Sequence, residues 1–112
     1  MSDWIKVCDV QDLVSNSGVC ALVRGKQIAL FSVQQAANQQ VYAISNWDPI
    51  GKANVLSRGV LGSIGENTVV ASPLYKQHFC LRTGLCLEDA DQQVQVYRAR
   101  IENNHVQLQW VD

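Results

Sequence analysis

The sequence predicts an all-β fold, and three observations carry that reading. Apolar residues recur with a period of two through most of the chain, the runs are divided by Gly, Asn and Asp, and two pairs of runs are joined by connections of only two or three turn-forming residues. At 112 residues the chain suits one domain spanning 1–112, because two domains would each be too small to hide their apolar surface. With 47% hydrophobic residues, 17% charged residues and a net charge of −1, it has material for a core. Its charge is too balanced to draw polyanions, so no nucleic-acid partner is expected.

In chain order, Asp9 to Leu13 is the only helix candidate, a turn or two at most. Val19 to Val23 and Lys26 to Val33 flank Arg24-Gly25, where Gly supplies the positive φ of a tight hairpin turn. A polar break at Ala36-Ala37-Asn38-Gln39 precedes a strand from Val41 to Ser45, with Val41 and Ala43 on one face and Tyr42 and Ile44 on the other. Trp47 to Asn67 carries Pro49, Gly51, Gly59, Gly62 and Gly65 and shows neither period, so it reads as a long loop in which Arg58 to Leu61 could form a short strand. Loops of that length usually carry function. Thr68 to Ala71 is a β-branched run that stops at Ser72-Pro73. Phe79 and Leu81 share one face and His78 and Cys80 the other, before a turn at Thr83-Gly84. Val94 to Ile101 and His105 to Val111 form a last hairpin across Glu102-Asn103-Asn104, with Val106, Leu108 and Trp110 facing inward. Its phase slips at Val96-Tyr97, as a bulge or a strand covered on both faces would require.

Little of this points to catalysis. Cys8, Cys20, Cys80 and Cys86 contain no CxxC pair; two disulfides are possible on paper, but buried free thiols are the expected state in a reducing compartment. His78, Cys80 and Cys86, with His105 elsewhere, form the only local group that a metal site could use, and no fourth ligand is evident. Glu88, Asp89 and Asp91 read as a solvated acidic run. There is no GxSxG elbow and no phosphate loop. No apolar run approaches the ~18 residues of a membrane span, and Met1-Ser2-Asp3-Trp4 lacks the basic start of a signal peptide, so a cytoplasmic location away from the membrane is expected. Two proline-bearing segments, Asn46 to Gly51 and Ser72 to Lys76, each end a β-run. Paired loops of that kind often grip something between them.

Those two segments carry a resemblance. Rieske-type domains have two boxes, Cys-Pro-His-x-Gly and Cys-Pro-x-His-Gly-x-x-Phe-x-Leu-x-Thr-Gly, whose cysteines and histidines bind a [2Fe–2S] cluster. Ala43 to Ile50 with Leu56 to Gly59 resembles the first box and its sequel. Val69 to Lys76, with Phe79, Leu81, Thr83 and Gly84, resembles the second. The frame matches, but the ligand positions are Asp48 and Ser72 for cysteine and Ile50 and Tyr75 for histidine. The resemblance therefore implies a Rieske-like β sandwich or barrel of antiparallel strands with two cluster-binding-type loops, and no metal ligand, cofactor or catalytic residue in the chain itself.

Motifs such as Gly18 to Leu22, Val41 to Asn46, Val55 to Gly59, Val70 to Leu74 and Gly84 to Asp89 look more narrowly like the small subunits of cytoplasmic NAD(P)H-dependent nitrite reductases. That likeness implies a large-subunit partner carrying FAD, sirohaem and an iron–sulfur cluster, which reduces nitrite to ammonium. Two roles remain open for the altered tip. Trp47, Ile50, Leu74 and Tyr75 either fill the space of the missing metal or form a patch that docks the partner. A free-standing electron carrier or an adaptor for another oxidoreductase is the alternative function.

Overall fold

The computed structural model describes residues 2–35 and 37–111. Twelve strands and two single 3-10 turns account for its regular structure. They run β1 (Ser2–Asp9), a 3-10 turn (Val10–Asp12), β2 (Ser17–Val23), β3 (Lys26–Gln35), β4 (Asn38–Ser45), β5 (Trp47–Asp48) and β6 (Ala53–Asn54). A second 3-10 turn (Leu56–Arg58) leads to β7 (Val60–Ile64), β8 (Asn67–Ala71), β9 (His78–Cys80), β10 (Val96–Tyr97), β11 (Ala99–Glu102) and β12 (His105–Val111).

A four-stranded sheet in the order β10-β4-β3-β2 forms the middle of the molecule, and alternate residues of its strands feed two separate cores. Ile28, Leu30, Ala43 and Tyr97 pack with Val106 and Leu108 of the sheet β1-β12-β11. Ala29, Phe31 and Ile44 pack from the opposite face with Val70 and Phe79 of the sheet β7-β8-β9, and with Leu56, Leu81, Cys86 and Val94. The period of two thus sends apolar residues both ways, which is why β3 reads as a nearly unbroken apolar run. Each fully buried large side chain contributes about 1.5–3 kcal/mol.

The tight turns follow from backbone chemistry. Arg24 (φ 49°) and Gly25 (φ 82°) make the expected hairpin between β2 and β3, with both central residues left-handed. Asn103 (φ 52°) and Asn104 (φ 64°) do the same between β11 and β12, and asparagine tolerates that region better than most residues. Glu102 pairs with His105, so this connection has two residues rather than three.

Several elements differ from the sequence expectation. β1 has no counterpart in it, although Ile5 and Val7 alternate with Trp4 and Lys6; its partner β12, which sets Ile5 against Leu108, lies at the far end of the chain. The helix candidate is one 3-10 turn. Asn38 and Gln39 belong to β4, paired with Gln35 and Gln34, so the polar break is mostly strand; Ala36 lies outside the described residues. The long loop is largely folded into the β5-β6 ribbon, a 3-10 turn that buries Leu56, and β7. The short strand expected at Arg58 to Leu61 overlaps β7 only at Val60 and Leu61; the rest of β7 carries little signal because it is an edge strand whose Val60 and Ile64 face solvent and whose Gly62 has no side chain, which erases the alternation. The slip at Val96-Tyr97 marks a change of sheet. Val96 and Tyr97 pair with β4 and enter opposite cores, whereas Ala99 onward pairs with β12.

Candidate functional site at the two-loop tip

The two proline-bearing segments come together beyond the ends of β4 and β8. Asn46, which is buried, anchors the first to the central sheet. Its N–H donates to the Gln27 carbonyl (3.0 Å) and its Nδ2 to Gln27 Oε1 (3.1 Å), while its Oδ1 accepts the Ser57 N–H (2.7 Å). A buried amide satisfied this fully fixes the direction in which the chain leaves the sheet.

From there the loops follow one design. In Asp48-Pro49-Ile50-Gly51-Lys52, Asp48 Oδ1 accepts the N–H groups of Ile50 (2.8 Å) and Gly51 (3.0 Å), and the Asp48 carbonyl accepts the Lys52 N–H (2.7 Å). In Ser72-Pro73-Leu74-Tyr75-Lys76, Ser72 Oγ accepts the Leu74 N–H (3.3 Å), and the Ser72 carbonyl accepts the Lys76 N–H (3.0 Å). Each is an Asx- or Ser-type turn closed by an i to i+4 backbone bond. Each ends on a lysine in the left-handed region, at φ 58° for Lys52 and 65° for Lys76. A residue with a Cβ costs about 1–2 kcal/mol there.

A hydrogen bond joins the loops: the Ser72 hydroxyl donates to Asp48 Oδ2, with both side chains buried. The Asp48 carboxylate thus accepts three hydrogen bonds and holds two segments 24 residues apart. Gly51 lies against Leu74, and a Cβ at position 51 would collide with Leu74 Cδ1. The four apolar candidates separate into two groups. Ile50 is half-buried and packs against the Phe79 core, whereas Trp47, Leu74 and Tyr75 are 44%, 45% and 63% exposed.

The other singled-out residues lie apart from this bridge. The His78 ring meets Glu88 Oε2 at 2.6 Å through Nδ1, and the His78 N–H donates to Glu88 Oε1 at 2.7 Å. Its slight burial works to raise the Glu88 pKa, but these His78 contacts outweigh it and hold the carboxyl below the usual glutamate range. Cys86 directs its thiol toward Glu88, and Cys80 directs its own toward Asn67. His105 sits at the β12 start, beside Asp9. Asp89 accepts the Asp91 N–H. Among the described residues no three of His, Cys, Asp or Glu group as a metal site.

A family model for the Rieske-like [2Fe–2S] domain matches residues 3–109. The chain belongs to this Rieske-like family. Within it, the nitrite reductase (NADH) small subunit of Salmonella typhimurium is 45% identical over 108 residues, 96% of this chain and 98% of the relative. A segment 40% identical to 96% of this chain makes up 11% of the nitrite reductase [NAD(P)H] large subunit of Klebsiella oxytoca. Among solved structures, the nitrite reductase [NAD(P)H] small subunit of Erwinia carotovora superposes with a TM-score of 0.81 at 46% identity, covering 100% of this chain and 85% of that one. The ferredoxin of carbazole 1,9a-dioxygenase from Nocardioides aromaticivorans shares the fold, with a TM-score of 0.77 at 23% identity over 94% of this chain and 95% of its own.

A Rieske cluster takes two thiolates and two imidazoles. At the positions that the motif resemblance sets against those ligands, this Rieske-like chain offers a carboxylate already accepting three hydrogen bonds, a hydroxyl, a hydrocarbon and a solvent-facing phenol. That donor set does not fit the cluster. The sequence reading located both loops but missed the Asn46 anchor, the Asp48–Ser72 bond and the two lysines. The repeated x-Pro-x-x-Lys in Asp48–Lys52 and Ser72–Lys76 was the signal available for them.

Proposed function

We propose that the chain is the small subunit of a cytoplasmic NADH-dependent nitrite reductase, holds no iron–sulfur cluster, and supports or regulates a catalytic large subunit. In this reading the large subunit carries FAD, sirohaem and an iron–sulfur cluster and reduces nitrite to ammonium. The likeness to named small subunits over almost the whole chain supports the assignment. A homologous segment inside a chain named as a large subunit supports the partner, since a shared polypeptide keeps the two modules together.

The observation that carries the cluster-free reading is the Asp48–Ser72 hydrogen bond, which ties the loops together where a metal centre would otherwise do so. Hydroxyl-to-carboxylate bonds are among the stronger hydrogen bonds, and burial here shields this one from water. Trp47, Leu74 and Tyr75 then form the exposed surface offered to the partner, and Ile50 the filler beneath.

Nitrite-dependent NADH oxidation by the purified large subunit, with and without this chain, tests the function. A higher rate or a longer active lifetime with the chain is expected; no change in either would refute it. Iron and acid-labile sulfide assays on the anaerobically purified chain test the absent cluster, and two irons per chain would reinstate an electron carrier.

A further inference from the structure

The tip carries a charge pattern that its partner must answer. Across residues 46–52 and 72–77 the charged side chains are Asp48, Lys52 and Lys76. Asp48 is fully buried and its carboxylate is occupied by three hydrogen bonds, so the exposed charge of the tip is wholly positive on a chain whose net charge is −1. Among the described residues neither lysine has an ion-pair partner. The nearest acid along the second loop's exit, Glu88, is tied to His78.

The lysines also share a backbone position. Each closes its loop at a left-handed φ, where glycine would fit without strain. The second loop has the same turn as the first, so the arrangement occurs twice, and both lysines, which are exposed, belong to the bridged segments that carry the exposed Trp47, Leu74 and Tyr75. Strained non-glycine residues concentrate where the side chain is needed more than the backbone is eased.

We propose that the tip docks, as an apolar centre with a basic rim, into an apolar hollow bordered by carboxylates on the large subunit, with Lys52 and Lys76 facing those carboxylates. This rests on the small-subunit reading above and adds the chemistry of the surface that receives the tip. Apolar contacts at the centre resist dissociation, while rim charges accelerate encounter and select the orientation.

Association and dissociation rates of the full chain with the intact large subunit, measured from low to high NaCl, test the proposal. Three variants are compared with the native chain: Lys52→Gly/Lys76→Gly, Lys52→Glu/Lys76→Glu and Tyr75→Ala. The glycine pair removes both charges while relieving the left-handed backbone, so its melting temperature should equal or exceed that of the native chain. Its association at low salt should be slower by about tenfold, that of the glutamate pair slower still, and all three rates should converge at high salt as charges are screened. Tyr75→Ala should hasten dissociation at every salt concentration. Native association rates that do not fall with salt, or a glutamate pair that associates as fast as the native chain, would overturn the basic-rim proposal and leave the small-subunit reading intact. Absence of binding by the native chain at every salt concentration would overturn both.

Discussion

The two cores and the tip hold the chain together by different means. Around Phe31, Leu56 and Phe79 the contacts are hydrocarbon, non-directional and spread over many residues, so the loss of one methyl group is shared among its neighbours. At the tip, one carboxylate and one hydroxyl bind two loops that are 24 residues apart at their bridging positions. The difference shows a division of labour. Hydrocarbon burial supplies stability, while the polar bridge, with its fixed directions, supplies the position of the side chains around it.

Truncating the core should have the largest effect. Phe79→Ala or Leu56→Ala, both fully buried, should lower stability by about 2–5 kcal/mol in denaturant unfolding, because each leaves a cavity the sheets cannot fill. Next comes the bridge itself. Asp48→Ala strands the Ser72 hydroxyl and two backbone N–H groups and should cost about 2–4 kcal/mol, whereas Ser72→Ala should cost about 1–2 kcal/mol. A double-mutant cycle between these positions should show coupling of about 0.5–3 kcal/mol; strict additivity would mean that the loops are held by packing alone.

Tyr75→Ala separates the surface from the scaffold beneath it. At 63% exposed, Tyr75 should change stability by less than about 0.5 kcal/mol while weakening large-subunit binding. Ile50→Ala should do the reverse, losing stability through its contact with the core and leaving the docking surface in place. The smallest effect is expected at Glu88. Because its carboxyl is held below the usual range in the folded chain, its contribution is present above the unfolded glutamate value of about 4.3 and disappears as the pH falls through the lower folded one. Glu88→Gln should remove that part of the acid dependence, measured as melting temperature against pH, and leave stability at pH 7 only slightly reduced.

The hairpins were legible because their information is local. Arg24-Gly25 and Asn103-Asn104 dictate their own turns, and the flanking alternation supplies the strands. β1 was illegible for the opposite reason: its short apolar pattern becomes a strand only by pairing with β12, more than a hundred residues along the chain at its outermost pair, Ser2 and Val111. β7 was legible only at its first two residues, Val60 and Leu61, since a strand at a sheet edge with a glycine at its centre carries no inward stripe. At the site, the box frame is legible in prolines, glycines and apolar spacing, so both loops can be placed from the sequence. The roles of the residues in them could not be read this way. Ile50 and Tyr75 look equally apolar in sequence, and only packing sends one toward Phe79 and the other into solvent.

The sequence by itself determined the β class, the principal turns and the two-loop frame, because each of these depends on residue type and short spacing. Tertiary structure alone decided that Asp48 and Ser72 meet, that Val96 and Tyr97 enter different cores, and that Ile50 is half-buried while Trp47, Leu74 and Tyr75 are exposed. Those facts depend on where distant segments lie relative to one another, and that is set by the mutual burial of three sheets rather than by any stretch of chain alone.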